Sequence, residues 1–382
     1  MKLPRVFLPF VFLAASFAGA SDSAKLAGIP MQMQGLVDRR VIAGSVTLVA
    51  QHGKTVQLVA VGSSDIARGR AMKTDDIFWI ASMTKPMTAA CVMMLAEEGK
   101  LGIDDPVSKF IPEFAAMRLN GAQPPRSVTL RDLLTHTSGL GDAPIARKAP
   151  LSARVTAYAR APMKFAPGSR WEYCNGNFNT LGRVIGVASG RPFETFIRSR
   201  LLGPLGMGDT TFWPSSRQVT RLAKSYRPGS AGLEETSVFA ITGDLTDRTR
   251  PALPAGGLFS TASDVARFYT MILDGGRSGG RKLLRKETVR QMTAVQTGGL
   301  RTGLVAGMSW GLGFQVVKVP QGVTAGLSAG SFGHGGSYAT QSWADPKRDA
   351  TYVLMIQRAG FANADDTEPR RAFQDAAAAA LR

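Results

Sequence analysis

The chain contains 382 residues, of which 44% are hydrophobic and 19% are charged, and this composition excludes an intrinsically disordered protein. Only two cysteines and three histidines occur, which excludes a disulfide scaffold, a multi-cysteine metal site and an iron–sulfur cluster. The formal net charge is +18, but the basic residues are spread along the chain without interleaved aromatic residues, a pattern that argues against nucleic-acid binding. We expect no cofactor and no metal site.

The first twenty residues have the pattern of a secretory signal peptide. Lys2 and Arg5 form a short basic head, residues 6–17 form an apolar run, and Ala18-Gly19-Ala20 is a small-residue cleavage site. The run is shorter than the roughly 20 residues that cross a bilayer, and no comparable run follows. We therefore expect a periplasmic or secreted protein without a transmembrane anchor, cleaved after about Ala20, whose positive charge attracts anionic envelope polymers weakly.

The next elements along the chain are a hairpin and a set of helices. Residues 46–62 alternate between apolar and polar side chains around Gly53 and Lys54, which predicts a β-hairpin with a tight turn. Apolar residues recur at helical spacing from Ser82, and Gly99 occupies a position at which a helix ends. Residues 104–273 form short segments broken by proline and glycine, which predict a mainly helical region.

Beyond Trp310 the pattern favours strands again, at residues 312–319, 338–344 and 351–356, followed by an alanine-rich helix at 369–381. Because the early strands must pair with the late ones, we predict an α+β fold, an α/β sandwich. One antiparallel sheet is formed by both chain ends and flanked by terminal helices, with a mainly helical domain inserted. The predicted boundaries are 21–80 and 300–382 for the sheet domain and 81–299 for the helical domain, with the catalytic cleft between the two.

The start of the first long helix carries a candidate nucleophile. Ser82 and Lys85 form the only Ser-x-x-Lys in the sequence, and a spacing of three on a helix places both side chains on one face. A serine hydroxyl is a weak nucleophile that needs an adjacent base, and a desolvated lysine can serve as one. The alternative interpretation is a helix-start serine beside a solvated lysine.

Two further motifs follow. In Trp171-Glu172-Tyr173-Cys174-Asn175, Tyr173 is the only tyrosine followed two residues later by asparagine, although such a tyrosine can also be an ordinary loop residue. Gly333-His334-Gly335-Gly336-Ser337 precedes a predicted strand, and its glycines would let the backbone approach a ligand closely. The simpler reading of this segment is a glycine-rich turn. The three motifs together, in this order, are much rarer than any one of them.

This combination resembles the serine β-lactamase and penicillin-binding-protein superfamily, in the branch of class C-like β-lactamases, family VIII carboxylesterases and D-amino-acid peptidases. The resemblance runs from about Leu36 to the C-terminus. It includes the companion segments PVSKFIPEF, TLRDLLTHTSGL, PGSRWEYCN, PAGGLFSTASDVARF and HGGSYATQSWADP. It implies a β-lactamase/transpeptidase-like fold and a serine hydrolase that works through an acyl-enzyme.

The resemblance also implies roles for individual residues. Ser82 is the acylated nucleophile, Lys85 and Tyr173 are its proton-handling partners, and the backbone N–H groups of Ser82 and Ser337 surround the oxyanion. The residues implied for substrate binding are Asn175, His334, Gly335 and Gly336.

Departures from the family pattern bear on the substrate. Many members carry Lys-Thr-Gly where this chain has His334-Gly335-Gly336, and a histidine here is neutral at pH 7 unless its environment charges it. This difference favours a carboxylesterase acting on small esters. The alternative is a β-lactamase or a D-alanyl-D-alanine carboxypeptidase or D-aminopeptidase that hydrolyses amides, and a second alternative is an inactive cell-wall-binding homologue. No glutamate loop of the class A type is evident, so deacylation falls to Tyr173 and Lys85.

A rival nucleophile is Ser328, in the Gly-x-Ser-x-Gly pattern of residues 326–330. That pattern requires an acid and then a histidine after the serine, yet only His334 follows, with no acid between. We interpret it as a loop. We also predict a structural role for His136, an exposed hairpin-turn position for His52, and no disulfide between the two cysteines.

Overall fold

The computed structural model describes residues 25–238, 241 and 243–381. The predicted signal peptide, at residues 1–20, lies outside these residues. Within this part of the chain, none of the helices combines the length and the apolar character that a membrane crossing requires.

The described residues form strands at both ends of the chain and short strand pairs in the middle. In chain order the strands are β1 (Gly44–Gln51), β2 (Lys54–Asp65), β3 (Arg70–Ala71), β4 (Phe78–Trp79), β5 (Ser225–Gly229), β6 (Gly232–Thr236), β7 (Phe259–Ser260), β8 (Arg277–Ser278), β9 (Arg281–Lys282), β10 (Met308–Trp310), β11 (Gln315–Val317), β12 (Phe332–Gly335), β13 (Gln341–Asp345) and β14 (Ala350–Met355).

The α-helices lie at the two termini and between the strands of the main sheet. In chain order they are α1 (Gly28–Asp38), α2 (Thr84–Glu97), α3 (Leu130–Thr135), α4 (Leu151–Arg160), α5 (Asn175–Ser189), α6 (Phe193–Ile197), α7 (Ser216–Val219), α8 (Ala262–Leu273), α9 (Lys286–Thr293) and α10 (Glu368–Ala380).

The main sheet has eight antiparallel strands in the order β10-β11-β12-β13-β14-β1-β2-β3. The pairing of β1 with β14 joins the two ends of the chain, with Val46 opposite Met355 and Gln51 opposite Ala350. The predicted α+β fold, with one antiparallel sheet built from both chain ends, is therefore confirmed. The hairpin turn between β1 and β2 is also where the sequence predicted it, since His52 and Gly53 both have positive φ.

Both faces of this sheet are covered, which explains why β1 and β14 are buried at nearly every position. Val46 and Leu48 pack into the large core shared with the helices of the middle region. Val49 points the other way, into a second core formed with the terminal helices α1 and α10. Within that second core the buried guanidinium of Arg370 lies 4.7 Å from the ring centroid of Trp343, so α10 is held by a cation–π contact as well as by apolar packing.

Strand β12 has room only for glycine at one central position. A Cβ placed on Gly333 would lie 2.2 Å from the carbonyl oxygen of Ser342 on β13 and 2.7 Å from the Trp343 ring. Both neighbours belong to the buried sheet and neither can move freely. Overpacking of this kind costs about 1–3 kcal/mol.

We therefore expect Gly333→Ala to lower the free energy of unfolding by about 1–3 kcal/mol, measured by thermal or urea unfolding. The matched control is Gly35→Ala, inside α1, where no atom lies within 4 Å of the added Cβ and where alanine favours the helix. Equal unfolding temperatures for Gly333→Ala and the wild type would contradict the packing described for β12.

Candidate active site

Ser82 lies at a sharp junction between a strand and a helix. Strand β4 is followed by a 3-10 turn at Ala81–Met83, which continues directly into α2. Ala81 has a φ of 45°, in the left-handed region that costs a non-glycine residue on the order of 1–3 kcal/mol. The Thr84 hydroxyl donates to the Ala81 carbonyl at 2.7 Å and accepts from the Leu258 N–H at 3.3 Å, which holds this backbone in place. The half-buried Ser82 side chain is thereby fixed at the start of the helix.

The ammonium group of Lys85 sits one helical turn after Ser82 and is fully buried. Its Nζ lies 3.0 Å from Ser82 Oγ, 2.8 Å from Asn175 Oδ1 and 2.7 Å from the Ala255 carbonyl oxygen. These three acceptors match the three donors of an ammonium group. The Ala255 N–H in turn donates to Asn179 Oδ1 at 3.3 Å, which positions that carbonyl.

Burial lowers the pKa of Lys85 to about 7, because desolvation disfavours the charged form more than the nearby groups stabilise it. The Cys174 side chain and the Asp365 carboxylate act in the opposite direction and raise this pKa. A large fraction of Lys85 is therefore unprotonated near neutral pH. An amine in that state, 3.0 Å from a serine hydroxyl, can accept its proton.

Tyr173 completes the contacts around Ser82. Its phenol forms a hydrogen bond with the Ser82 side chain, and its ring centroid lies 4.7 Å from Lys85 Nζ. Desolvation of the phenol raises the pKa of Tyr173 well above 10, an effect that outweighs the lowering by the Ser82 hydrogen bond. Tyr173 is therefore protonated at neutral pH and is suited to donate a proton.

The segment that carries Tyr173 is held by His136, for which the sequence predicted only a structural role. His136 ends α3 with a φ of 59°. Its Nδ1 accepts from the Cys174 N–H at 3.1 Å, and its carbonyl oxygen accepts from the Glu172 N–H at 3.0 Å. Its ring centroid lies 4.5 Å from that of Tyr173, and burial keeps the His136 pKa well below 6.5. The residues on both sides of Tyr173 are thus held by one residue, Cys174 by the neutral imidazole of His136 and Glu172 by its backbone carbonyl.

The residues of the glycine-rich motif, Gly333 to Ser337, differ in exposure and in their distance from the cleft. Ser337 is exposed and lines the cleft beside Ser82, whereas His334 is buried. His334 Nδ1 donates to the Gly335 carbonyl at 2.7 Å, and burial together with the charge of Lys85 lowers the His334 pKa to about 3. This histidine is therefore a neutral structural group at physiological pH. Its predicted contact with substrate stays a prediction.

Gly335 and Gly336 let β12 approach other parts of the protein. A Cβ on Gly335 would lie 2.2 Å from Asp365 Oδ1, and one on Gly336 would lie 2.7 Å from the Ile80 carbonyl oxygen, just before the serine turn. Both glycines are buried and neither lines the cleft. Both glycines thus allow close packing against other parts of the protein. Their predicted contact with substrate stays a prediction.

Two backbone donors remain unused near the serine. In the described part of the chain, neither the Ser82 N–H nor the Ser337 N–H donates to another protein group. Both residues border the same cavity of about 250 Å³. Free N–H groups directed at one site are the usual stabilisers of an oxyanion. The residues that line this cavity are Trp79, Ala81, Ser82, Ile145, Arg147, Arg154, Tyr158, Asn175, Asn179, Leu253, Ala255, Gly256 and Ser337.

The remaining sequence candidates lie elsewhere. Ser328 is in a loop, where its hydroxyl accepts from the guanidinium of Arg348 at 2.9 Å and its N–H donates to Asp345 at 3.1 Å. Its hydroxyl thus faces a cation that cannot take its proton. Cys91 is buried in the main core, and both cysteines are free thiols. Sequence reasoning missed Asp365, a buried carboxylate that raises the pKa of Lys85 from a distant segment of the chain.

Comparison with known proteins finds that nearly the whole chain is similar to beta-lactamase-family proteins. A family model described as Beta-lactamase matches residues 32–377. Esterase EstB of Burkholderia gladioli is 31% identical over 381 residues, which cover 91% of this chain and 93% of the esterase. The D-alanyl-D-alanine-carboxypeptidase/endopeptidase AmpH of Escherichia coli is 31% identical over 207 residues, which cover 52% of this chain and 49% of AmpH.

Among solved structures, EstCE1, described as a hydrolase with promiscuous acyltransferase activity, superimposes with a TM-score of 0.80 at 24% identity, over 94% of this chain and 99% of EstCE1. This similarity supports the fold alone.

The contacts of His136 lead to a testable expectation. We expect His136→Ala to accelerate amide hydrogen exchange at residues 172–175, because the Cys174 N–H loses its acceptor and the Tyr173 ring loses its stacking partner. A buried donor left unsatisfied costs about 1–3 kcal/mol, so the unfolding temperature falls as well. His136→Asn, which tolerates positive φ and keeps an acceptor, restores part of the protection. Unchanged exchange at these residues in His136→Ala would show that His136 does not hold the segment.

Proposed function

The chain belongs to the beta-lactamase family, a family of serine hydrolases, and on this premise we propose that it is an exported enzyme that forms an acyl-enzyme on Ser82 and hydrolyses small carboxylic esters. The observation that carries this proposal is the distance of 3.0 Å between Ser82 Oγ and a buried lysine whose pKa is about 7. A serine paired with such an amine is an activated nucleophile. Export is inferred from the pattern of residues 1–20.

The acylation step uses the groups already described. Neutral Lys85 takes the proton of the Ser82 hydroxyl as Oγ attacks the ester carbonyl carbon, and the Ser82 and Ser337 N–H groups stabilise the oxygen that becomes negative. Tyr173 gives its proton to the leaving alcohol oxygen as the ester C–O bond breaks. The proton held by Lys85 then returns to the Tyr173 oxygen, which leaves a neutral acyl-enzyme.

Deacylation repeats these transfers with water in place of the serine. Neutral Lys85 accepts a proton from the water that attacks the acyl carbon, and Tyr173 donates its proton to Ser82 Oγ as the acyl C–O bond breaks. The proton on Lys85 then returns to the Tyr173 oxygen. Within the described residues no acidic side chain lines the cleft, so Lys85 is the base for the attacking water. The substrate is a small molecule, and no step requires a cofactor or a metal.

Two observations favour esters over amides. The similarity to esterase EstB extends over nearly the whole of both chains. In addition, His334 has a pKa of about 3, so strand β12 presents a neutral residue where many family members carry a lysine. The binding of a penicillin or peptide carboxylate at that point is correspondingly weak.

Amide hydrolysis, of β-lactams or of D-alanyl peptides, is the second candidate, and the side chain of Asn175 favours it. Asn175 Oδ1 accepts from Lys85 at 2.8 Å, so its Nδ2 is oriented away from the lysine and can donate to a substrate amide carbonyl. Part of the chain is also similar to AmpH. A cell-wall-binding protein without activity would not require the buried lysine, whose desolvation is unfavourable.

The nucleophile is tested by labelling and turnover. We expect a fluorophosphonate to add one label to the wild type, on Ser82, and we expect Ser82→Ala to lose more than about a thousandfold in kcat/KM for p-nitrophenyl butyrate. Ser328→Ala is the matched control and retains both properties. Parallel assays with nitrocefin separate the ester and β-lactam alternatives. Labelling on Ser328, or turnover that survives in Ser82→Ala, would contradict the proposal.

The role of Lys85 gives the enzyme a defined pH dependence. Only the unprotonated amine accepts a proton, so kcat/KM for p-nitrophenyl butyrate rises as the pH increases through about 7 and levels off above it. Asp365→Asn removes a carboxylate that favours charged Lys85, so it moves this rise to lower pH. Lys85→Arg stays protonated throughout and loses the activity. A pH profile without a rise near 7 would exclude Lys85 as the base.

A further inference from the structure

One wall of the cleft beside Ser82 carries two arginines. Arg147 comes from the loop that precedes α4, and Arg154 lies one turn into that helix. Among the described residues that line the cavity, none is an aspartate or a glutamate. Two arginines and no carboxylate residue therefore border the cavity in the described chain.

Arg154 fixes the loop that carries Arg147. Its Nε donates to the Ala149 carbonyl at 2.9 Å, and its Nη2 donates to the carbonyl groups of Ala146, at 3.2 Å, and of Arg147. The Ala149 N–H closes the same loop by donating to the Ala146 carbonyl at 2.9 Å. Arg154 is thus a positioning residue, and its partners are neutral, so its charge is not balanced by an anion.

Arg147 is exposed, and its guanidinium makes no hydrogen bond or ion pair with the described residues. Some other arginines of the described chain are paired with carboxylates: Arg126 with Asp132 at 2.6 Å and Arg221 with Asp209 at 2.9 Å. An unpaired guanidinium at the edge of a concave, partly apolar site attracts an anion more strongly than one on an open surface.

The other cations at the site are already committed. Lys85 is surrounded by three acceptors and has a pKa of about 7. His334 is neutral. The guanidinium of Arg154 already donates to three carbonyl groups of its own loop. Arg147 is therefore the cation at this cavity that has no partner among the described residues. Ile145 and Leu253, which line the same cavity, offer an apolar surface for the chain that leads to that charge.

We propose that the preferred substrate carries a carboxylate on its acyl chain and that Arg147 binds this carboxylate. The inference rests on the proposed function, since the acyl group is the part that stays bonded to Ser82 inside the cavity. A guanidinium and a carboxylate form two parallel hydrogen bonds, which also fix the orientation of the acyl chain. The substrate class is thus the half-ester of a dicarboxylic acid, or the corresponding amide.

The test compares two esters with the same number of acyl carbons. We expect the wild type to hydrolyse mono-4-nitrophenyl glutarate with a kcat/KM about tenfold above that for 4-nitrophenyl pentanoate at low ionic strength, with added salt reducing the ratio. Arg147→Gln lowers this ratio about tenfold, mainly through KM for the glutarate ester. Arg147→Glu lowers it further, because the carboxylate now meets a like charge.

The matched control is Lys148→Gln, which removes one positive charge from the adjacent residue, outside the lining of the cavity, and leaves the ratio within about twofold. A wild-type preference for the pentanoate ester, or equal effects of Arg147→Gln and Lys148→Gln, would overturn the proposal. Failure of the proposed function has a different signature, namely no turnover of either ester and no fluorophosphonate label on Ser82.

Discussion

The proposed chemistry of this protein depends on the burial of one lysine. Lys85 is enclosed by the Ser82 hydroxyl, the Asn175 amide oxygen and the Ala255 carbonyl oxygen, and desolvation brings its pKa to about 7. Each of the three acceptors belongs to a different segment of the chain. The three hydrogen bonds hold the amine next to the serine hydroxyl, and its desolvation allows it to lose its proton near neutral pH. Both properties follow from the same packing.

Separate elements of the fold bring the residues of the site together. The strand-to-helix junction at Ala81 presents the serine, the imidazole of His136 holds the tyrosine segment, and β12 brings Ser337 to the other side of the cleft. Strand β12 reaches that position because Gly335 and Gly336 leave space for Asp365 and for the Ile80 carbonyl. The site is therefore a product of tertiary packing around a rigid sheet, and the local strain at Ala81 is maintained by that packing.

Much of this could be predicted from residue patterns and family resemblance. The hairpin around Gly53 and the spacing of Ser82 and Lys85 are local features, and helical geometry brings the latter pair together without further information. Strand β12 is not among the strand segments that the residue pattern predicts, because its glycines have little intrinsic preference for a strand. The contacts that require these glycines are made with residues distant in the sequence. The sequence did not indicate a role for Asp365 or Arg147. Their electrostatic effects depend on distances in the folded protein, which spacing along the sequence does not specify.

The pairing of β1 with β14 has a consequence for biosynthesis. The strand that completes the centre of the sheet is made about three hundred residues after its partner, so the growing polypeptide cannot close the sheet until nearly all of it has left the ribosome. Until then the sheet that separates the two hydrophobic cores is incomplete, and their apolar residues are not fully buried. The proposed export would require an unfolded polypeptide, and late closure of the sheet keeps the chain in that state during synthesis.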